Sequence, residues 1–374
     1  MAYLWIISAV LVLLYLIWIG MFWYGWEKTP DASGSKPGFK IPVSVVVPAR
    51  NEEANLLPML EALTSQDYPQ NLIEIIITDD HSTDLTPEIT RYYANRHGNI
   101  RYVRLDNAEE GKKKALLKGI LATRYPLILT TDADCLPATG WISAMVDCFK
   151  RTNADLVAGP VLLKGNCSFF SKFQKLEFLS LLGSTAGSLA VGRTVMCNSA
   201  NLGFRKEAYL EVSSDIYPEI SSGDDVFLLM ALQRTGDKKL VYLKSRDAVV
   251  KTPVADNAGD FLKQRQRWTS KSGRYRDPPS VFTALLVFLI NFCAVACMFL
   301  APFYPESLLI TGLILIGKSV VDFPFLFSVS SFFGQARLMI FFLPVQFLYI
   351  FYISFTVLTA FIEVFDWKGR IVKL

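Results

Sequence analysis

The chain has 374 residues, a hydrophobic fraction of 52% and a formal net charge of +4. This apolar fraction exceeds that of an ordinary soluble protein, so we expect part of the chain to lie in a membrane. The small net charge argues against a nucleic-acid-binding protein, which normally has a dominant basic face. The cysteines form no CxxC pair, and this spacing indicates neither a zinc site nor a disulfide framework.

The apolar residues are concentrated at the two ends of the chain. Residues 1–26 contain no charged side chain and are long enough for one helical crossing of a bilayer. A cleaved signal peptide is the alternative, but the segment lacks a basic start and a small-residue cleavage site, so we predict an anchor. Lys28, Lys36 and Lys40 follow it, which predicts an outside N-terminus and a cytosolic central domain. We expect a multi-pass protein of a plasma membrane, the bacterial inner membrane being the expected setting.

The region 281–364 predicts two or three transmembrane helices, at 281–303, 307–333 and 338–364. Lys318 and Asp322 lie four residues apart in the middle segment, so a helix would place them on one face. There they would pair with each other or line a polar pathway, unless this segment only lies at the membrane surface.

The side of the membrane on which the chain ends is ambiguous. Three crossings from a cytosolic domain would place the C-terminus outside. The tail 365–374 contains Lys368, Arg370 and Lys373, and basic residues favour the inside. Either one segment does not span the membrane or the weak charge of the tail is overruled.

Between the apolar ends, residues 27–40 predict a linker and residues 41–280 predict one α/β domain. Apolar runs and helical periodicity alternate along this domain. Strands are predicted at 43–47, 72–78, 100–105, 127–131 and 155–161, and helices at 52–63, 87–96, 112–122 and 141–150. This order predicts a Rossmann-like fold with a mainly parallel sheet, which binds ligands beyond the carboxyl ends of its strands.

Two acidic clusters follow predicted strands. Asp79 and Asp80 can accept hydrogen bonds from a nucleoside base and ribose, although a turn that caps the next helix explains them equally well. Asp132 and Asp134 can bind a hard divalent cation that bridges nucleotide phosphates. Taken alone, an Asp-x-Asp pair more often marks a solvated loop.

Two further clusters lie later in the domain. Asp224 and Asp225 offer a general base, but they also suit the acidic first turn of a helix. Gln264, Arg267 and Trp268 have helical spacing and therefore share one face. That face offers an amide, a guanidinium suited to a diphosphate and an indole on which a sugar can stack. A basic and aromatic helix at the membrane interface is the alternative.

Together these motifs resemble the family 2 glycosyltransferases. Their order and spacing are more specific than any one of them. Over about 40–275 the chain is similar to the membrane-bound branch with the D, D, D, QxxRW signature, which includes cellulose, chitin, hyaluronan and poly-N-acetylglucosamine synthases and ceramide glucosyltransferase. The motifs that carry the resemblance are 43–48 with Asn51-Glu52, then Asp79-Asp80, Gly111-Lys112, Asp132-Ala133-Asp134, Asp224-Asp225 and Gln264-x-x-Arg267-Trp268.

The resemblance implies a GT-A fold, an inverting mechanism, a UDP-sugar donor and Mg²⁺ or Mn²⁺ as cofactor. It implies that Asp79 and Asp80 contact the uridine, with Asp80 the stronger candidate for the uracil. Lys112 would lie near the nucleotide, Asp132 would touch the ribose or the metal, and Asp134 would ligate the metal.

For the reacting groups, the resemblance implies that Asp225 is the base. The family's usual Thr-Glu-Asp is replaced here by Gly223-Asp224-Asp225, so Asp224 is the second candidate. Gln264 and Arg267 would hold the diphosphate, and Trp268 would line the acceptor site.

Three functions fit these residues. We favour transfer to a growing polysaccharide, for which the few C-terminal segments would require a homo-oligomer or an accessory subunit. The alternative is transfer of one sugar to a membrane lipid such as ceramide, diacylglycerol or polyprenyl phosphate. A membrane protein that binds nucleotide without catalysis is the third.

Overall fold

The structure is a computed structural model that describes residues 1–34, 40–216, 223–360, 365–367 and 370–372, with no side chains described beyond 360. In these residues four helices are long and apolar enough to cross a membrane: Ala2–Lys28, Pro278–Leu300, Ser307–Phe332 and Ala336–Thr359. They agree with the four apolar segments predicted from the sequence. Residues 361–364 of the last segment, residues 35–39 of the linker and Lys368 and Lys373 of the tail lie outside the described residues.

The central domain alternates strands and helices as predicted, and the boundaries differ by one or two residues over most elements. In chain order the helices are α1 (Ala2–Lys28), α2 (Glu53–Thr64), α3 (Thr86–Arg96), α4 (Lys112–Ala122), α5 (Trp141–Thr152), α6 (Phe169–Ala190), α7 (Lys206–Val212), α8 (Asp224–Thr235), α9 (Ala258–Ser270), α10 (Pro278–Leu300), α11 (Ser307–Phe332) and α12 (Phe342–Thr359). The strands are β1 (Val43–Ala49), β2 (Ile73–Asp79), β3 (Ile100–Arg104), β4 (Leu127–Thr130), β5 (Leu136–Pro137), β6 (Leu156–Ala158), β7 (Val161–Lys164), β8 (Leu202–Arg205), β9 (Leu240–Tyr242), β10 (Val250–Pro253), β11 (Phe365–Trp367) and β12 (Arg370–Val372).

The main sheet has seven strands in the order β3-β2-β1-β4-β8-β6-β9. Strands β1 to β4 are parallel to one another, β6 is parallel to β9, and β8 runs antiparallel to both of its neighbours, β4 and β6. Every residue of β2 is buried, because helices cover both faces of a parallel sheet. The expected mainly parallel α/β sheet is therefore confirmed, and it brings the ends of β1, β2 and β4 to one edge.

The single strand predicted at 155–161 is wrong. The chain forms β6 in the main sheet and then β7 in a second sheet with the order β5-β10-β7. Gly159 and Pro160 separate the two strands. A Cβ on Gly159 would lie 2.5 Å from Asn201 Oδ1, so only glycine fits there. Asn201 Nδ2 donates to the Pro160 carbonyl over 2.8 Å, which stabilises the switch from one sheet to the other.

The N-terminal helix α1 packs on helix α6 of the domain. The segment 168–182, which is rich in Phe and Leu, predicts packing at the membrane surface, and in the structure α6 packs on both α1 and α11. A Cβ on Gly25 would overlap the backbone of Gly187, so these two glycines allow the helices to touch. Lys244 Nζ donates to the Trp26 carbonyl over 3.0 Å and lies 4.0 Å from the centre of its ring. These contacts place the end of α1 against the domain.

Lys318 and Asp322 pair with each other inside the helix bundle. Lys318 Nζ lies 3.5 Å from Asp322 Oδ2 and is fully buried. Tyr15 of α1 donates to Asp322 Oδ1 over 2.9 Å, and Gln346 of α12 donates to Oδ2 over 3.0 Å. The pair therefore links three apolar helices through a satisfied polar cluster.

Helix α12 contacts the α/β domain at both of its ends. The turn that precedes it, Ala336–Phe341, packs on α6, with Lys172 Nζ 4.2 Å from the centre of the Phe341 ring. At the other end, Gln266 Nε2 of α9 donates to Thr359 Oγ1 over 2.8 Å. Helix α12 thus contacts the domain and also packs on α10, and its length and composition would allow it to cross a membrane.

Candidate active site

A cavity of about 920 Å³ begins at the carboxyl edge of the main sheet and continues between the apolar helices. Its lining at the sheet includes most of the residues that the sequence singles out. Between the helices most of its lining is apolar and includes Ile19, Phe288, Phe325 and Val357, and the hydrogen-bonded cluster around Asp322 lies among these side chains. A concave site with converging polar groups at one end and apolar walls at the other suits a ligand with a polar head and an apolar body.

The cavity-lining residues among the predicted site residues come from five elements or loops. They are Asp80, Lys112, Asp132, Asp134, Asp224, Asp225, Gln264, Arg267 and Trp268. The structure therefore brings together nine of the ten side chains that the sequence proposes for the site. Their individual roles remain predictions.

Asp79 is the predicted site residue that does not line this cavity in the described part of the chain. Tyr102 donates to its Oδ2 over 2.9 Å, and the Ser82 N–H donates to its Oδ1 over 3.1 Å. Burial and the Asp79 carboxylate raise the pKa of Tyr102 to about 12, so Tyr102 remains a donor. Neighbouring residues at a strand end point to opposite faces of the sheet, so the Asp80 side chain lines the cavity and the Asp79 side chain does not. Of the two aspartates, Asp80 therefore remains the candidate for the predicted uridine contact. Its carboxylate accepts a hydrogen bond from the Gly111 N–H over 3.0 Å.

Asp132, Asp134 and Cys135 lie on the loop after β4, with ligand atoms within 4.8 Å of one another. Burial raises the pKa of Asp134, and the charges of Asp132 and Glu52 raise it further. A divalent cation would relieve this repulsion. The two carboxylates match the oxygen ligands that Mg²⁺ and Mn²⁺ prefer, whereas a thiol does not. The side chains therefore fit the predicted metal.

Lys112 begins α4 and reaches the same acidic group. Its Nζ lies 2.7 Å from Asp132 Oδ1 and donates to Ser199 Oγ over 3.0 Å. Burial lowers the pKa of Lys112, but the charges of Asp132 and Asp224 outweigh this effect and raise it above its ordinary value. The ammonium group is therefore charged and available for a phosphate.

Asp224 and Asp225 form the first turn of α8, so the expected helix start is also observed. The Ser199 N–H donates to Asp225 Oδ2 over 3.0 Å, and the Val226 N–H donates to Oδ1 over 2.8 Å. Asp224 Oδ2 is buried and has no hydrogen-bond partner within the described residues. The backbone therefore orients Asp225, whereas Asp224 keeps an acceptor for a ligand.

Helix α9 presents Gln264, Arg267 and Trp268 to the cavity, as their spacing predicts. Burial lowers the pKa of Arg267, while Asp132, Asp224 and Asp225 oppose this effect. The guanidinium keeps its charge in proteins and suits a diphosphate.

A buried ion pair behind this face was not predicted. Arg265 Nη2 lies 2.7 Å from Glu177 Oε2, and both side chains are 4% exposed. The guanidinium also lies 4.3 Å from the centre of the Trp268 ring, and it donates to the Gln264 side chain. Arg265 therefore orients two of the cavity-lining residues. Glu177 belongs to α6, and nothing in its local sequence indicates this partner.

Lys271 is a second cavity-lining residue that the sequence motifs did not identify. It lines the cavity and is 8% exposed. Its position four residues after Arg267 places it on the same helical face, which is the signal that could have identified it.

Comparison with known proteins agrees with this geometry. Residues 44–212 match the model of Glycosyl transferase family 2. This segment is a family 2 glycosyltransferase domain. The chain is also similar to a solved structure, that of mannosyltransferase PcManGT from Pyrobaculum calidifontis in complex with GDP-Man and Mn²⁺. The alignment covers 95% of this chain and 99% of the mannosyltransferase chain, with a TM-score of 0.59 and 19% sequence identity. The domain thus has the expected GT-A fold.

Two curated relatives match parts of the family 2 domain. Glycosyltransferase AglE of Haloferax volcanii is 33% identical over 119 residues, which are 32% of this chain and 39% of that protein. A beta-monoglucosyldiacylglycerol synthase of Nostoc is 30% identical over 137 residues, 36% of this chain and 29% of that protein. The chain thus spans well under half the length of either relative.

Proposed function

We propose that this chain is an integral membrane glycosyltransferase that transfers one sugar from a UDP-sugar to a membrane lipid. The observation that carries the proposal is the cavity, which connects the polar residues at the sheet edge with apolar walls between the membrane helices. A soluble acceptor would gain nothing from such walls, whereas a lipid can keep its hydrocarbon chain in them.

The same observation favours a lipid over the growing polysaccharide that is the first expectation from the sequence motifs. A polysaccharide exposes hydroxyl groups along its length, and these groups need hydrogen-bond partners when they leave water. The walls between the helices supply mainly apolar side chains such as Phe288, Phe325 and Val357, and the polar side chains Tyr15, Asp322 and Gln346 among them are already hydrogen-bonded to one another. One relative's name, beta-monoglucosyldiacylglycerol synthase, also refers to a sugar-bearing lipid. Transfer to a lipid requires no secretion channel, so the homo-oligomer or accessory subunit expected for a polymerase is not needed.

For the donor, the proposal uses the residues at the sheet edge. Asp80 would contact the base, and Lys112 and Arg267 would hold the diphosphate with Gln264 beside them. Asp132 and Asp134 would hold Mg²⁺ or Mn²⁺, which when bound stabilises the charge that develops on the leaving diphosphate. The distance of 2.7 Å between Lys112 Nζ and Asp132 Oδ1 supports a shared site for cation, phosphate and carboxylate.

For the acceptor, the proposal places the attacking oxygen on the side of Asp225. Attack from the face of the sugar opposite the diphosphate inverts the anomeric carbon. Where the acceptor is a hydroxyl, Asp225 would take its proton, since the backbone N–H groups of Ser199 and Val226 hold this carboxylate in place. Trp268 would line the acceptor path.

We also propose that the chain crosses the membrane three times, through α1, α10 and α11. Both ends of α12 contact the catalytic domain, through Phe341 at one end and Thr359 at the other, which supports a position against the domain's membrane side. An outside N-terminus then gives a cytosolic domain and a cytosolic C-terminus. This arrangement agrees with the basic residues of the tail.

The test uses membranes that contain the full chain, a panel of radiolabelled UDP-sugars and either Mg²⁺ or Mn²⁺. Products are separated by organic extraction and by size. We expect label in the organic phase, lost in Asp134→Asn and retained in Asp256→Asn, whose side chain is exposed and lies away from the cavity lining. Label only in material of high molecular weight would show a polysaccharide synthase, and no incorporation from any donor would favour a non-catalytic protein.

A further inference from the structure

Lys271 is a buried cation whose burial the fold alone does not explain. Its side chain lines the cavity and the residue is 8% exposed. Its ammonium group makes no hydrogen bond or ion pair with the residues that the structure describes. Burying a charged group without a partner is costly, so such a group in a cavity marks the place of a ligand of opposite charge. Burial lowers the pKa of Lys271, and the nearby Asp225 opposes this effect.

The packing of Lys271 places it on the acceptor side of the site. A Cβ on Gly223, the residue that precedes Asp224 and Asp225, would lie 3.0 Å from Lys271 Cδ, so this side chain packs against the start of α8. Lys271 is also one helical turn closer to the membrane helix α10 than Arg267 is. Tyr275 continues the cavity lining from Lys271 toward α10.

The apolar arm of the cavity begins next to Lys271. Ser280, Ala284 and Phe288 follow one another along α10 at helical spacing and all line the cavity. A ligand held by Lys271 can therefore extend from an anionic group into an apolar passage between membrane helices. Neutral lipids such as diacylglycerol or ceramide would leave the ammonium group unpaired.

We propose that Lys271 binds the phosphate of the acceptor and that the acceptor is therefore a lipid phosphate monoester. This inference rests on the proposed function and makes it more specific. Lysine is a common phosphate ligand in proteins, and a charge-assisted hydrogen bond in a buried site is stronger than a neutral one.

In the reaction with a lipid phosphate, one bond forms and one bond breaks at the anomeric carbon. One oxygen of the lipid phosphate dianion forms a bond to the anomeric carbon. The bond from this carbon to the diphosphate oxygen breaks, and the nucleoside diphosphate leaves with the bonding electron pair. The attacking oxygen carries no proton, so no base has to remove one. Lys271 positions the dianion and offsets its repulsion from Asp225.

The experiment compares the detergent-solubilised full chain with Lys271→Met, Lys271→Arg and Lys263→Met. Lys263 is exposed on the same segment and serves as the matched control. The probes are citronellyl phosphate, a short prenyl phosphate, and citronellol, its alcohol. Calorimetry measures binding without donor, and initial rates with the active UDP-sugar give KM for donor and acceptor separately.

We expect wild type to bind citronellyl phosphate but not citronellol. Lys271→Met should weaken this binding and raise the acceptor KM roughly 10- to 100-fold, while the donor KM is unchanged. Lys271→Arg should restore part of the binding, and Lys263→Met should match wild type. Because an apolar side chain replaces a buried charge, Lys271→Met should also unfold at an equal or higher temperature than wild type.

Three results would overturn the inference. Equal binding of citronellyl phosphate by wild type and Lys271→Met would show that Lys271 does not hold the phosphate. An increase in donor KM alone would assign Lys271 to the leaving diphosphate or to a charged donor sugar. Sugar transfer to citronellol and not to citronellyl phosphate would remove the inference and leave the proposed function intact. If no lipid is labelled at all, the proposed function fails, and the calorimetric comparison still decides the role of Lys271.

Discussion

Lys112 Nζ and Asp132 Oδ1 lie 2.7 Å apart at the edge of the main sheet, where the proposed metal and diphosphate meet. The same ammonium donates to Ser199 Oγ, and the Ser199 N–H donates to Asp225. One lysine therefore links the donor side of the cavity to the acceptor side. The sequence places these residues in separate motifs, and only their contact shows that they belong to one network.

Lys112→Met should lower kcat/KM for the donor about 10²- to 10³-fold, because the developing charge on the diphosphate loses a preorganised cation. The acceptor KM should not change. Lys114→Met is the matched control, since Lys114 is exposed on the same helix. Steady-state rates, measured at varied concentrations of donor and acceptor, compare the two variants with wild type. A loss in Lys114→Met of the same size would show that the effect comes from the net charge of α4.

Glu177→Gln should destabilise the protein by about 3–5 kcal/mol, because it leaves Arg265 buried without its counter-charge. The double variant Glu177→Met with Arg265→Met should recover much of that loss, since it removes both buried charges. Unfolding temperatures in detergent measure the stability, and the donor KM reports whether Gln264 and Trp268 have moved. A double variant less stable than Glu177→Gln would contradict a paired role.

Gly25→Ala should disrupt the crossing of α1 and α6, because the added methyl group overlaps the backbone of Gly187 and backbone cannot move aside cheaply. Gly20→Ala is the control in the same helix. A Cβ added at Gly20 would have no atom within 4 Å in the described structure. The Gly20→Ala substitution should therefore be neutral or slightly stabilising. Yield and unfolding temperature in detergent compare the two. Equal behaviour of the two variants would mean that the glycine contact is not required.

The proposed topology predicts that the loop 301–306 faces outside and the C-terminus faces the cytosol. Glu306→Cys in intact cells should react with a membrane-impermeant maleimide, and a tag fused after Leu374 should react only after the cells are opened. Wild type without the added cysteine gives the background. Reaction of the C-terminal tag in intact cells would show that α12 crosses the membrane.

The acid stability of the domain should depend in part on Glu74. Burial raises the pKa of Glu74, but hydrogen bonds from the Arg124 N–H, Ser44 and Arg101 outweigh this effect and lower it below its ordinary value of 4.5. Its contribution to stability is therefore present above pH 4.5 and is lost as pH falls through the lower pKa of the folded state. Unfolding temperatures from neutral to acidic pH should decline less steeply in Glu74→Gln than in wild type. Parallel curves would exclude this role.

The amino-acid sequence by itself determined the local structure and the order of the motifs. The buried runs of β1 and β2 and the periodicity of α2 and α4 depend on neighbouring side chains, so they could be predicted to within a few residues. The four apolar segments depend on composition alone. Aspartates that follow parallel strands meet at one sheet edge, which is why Asp80 and Asp132 could be assigned to one site.

Tertiary structure decided what depends on residues that are distant in the chain. Glu177 and Arg265 are 88 positions apart, and no local pattern could pair them. The orientation of Asp79 depends on Tyr102 of the neighbouring strand. The burial of Lys271 and the apolar extension of the cavity arise from the packing of α9 and α10 against α1, α6, α11 and α12. Since burial and charge balance are properties of this packing, the change from a polysaccharide to a lipid as the proposed acceptor required the folded molecule.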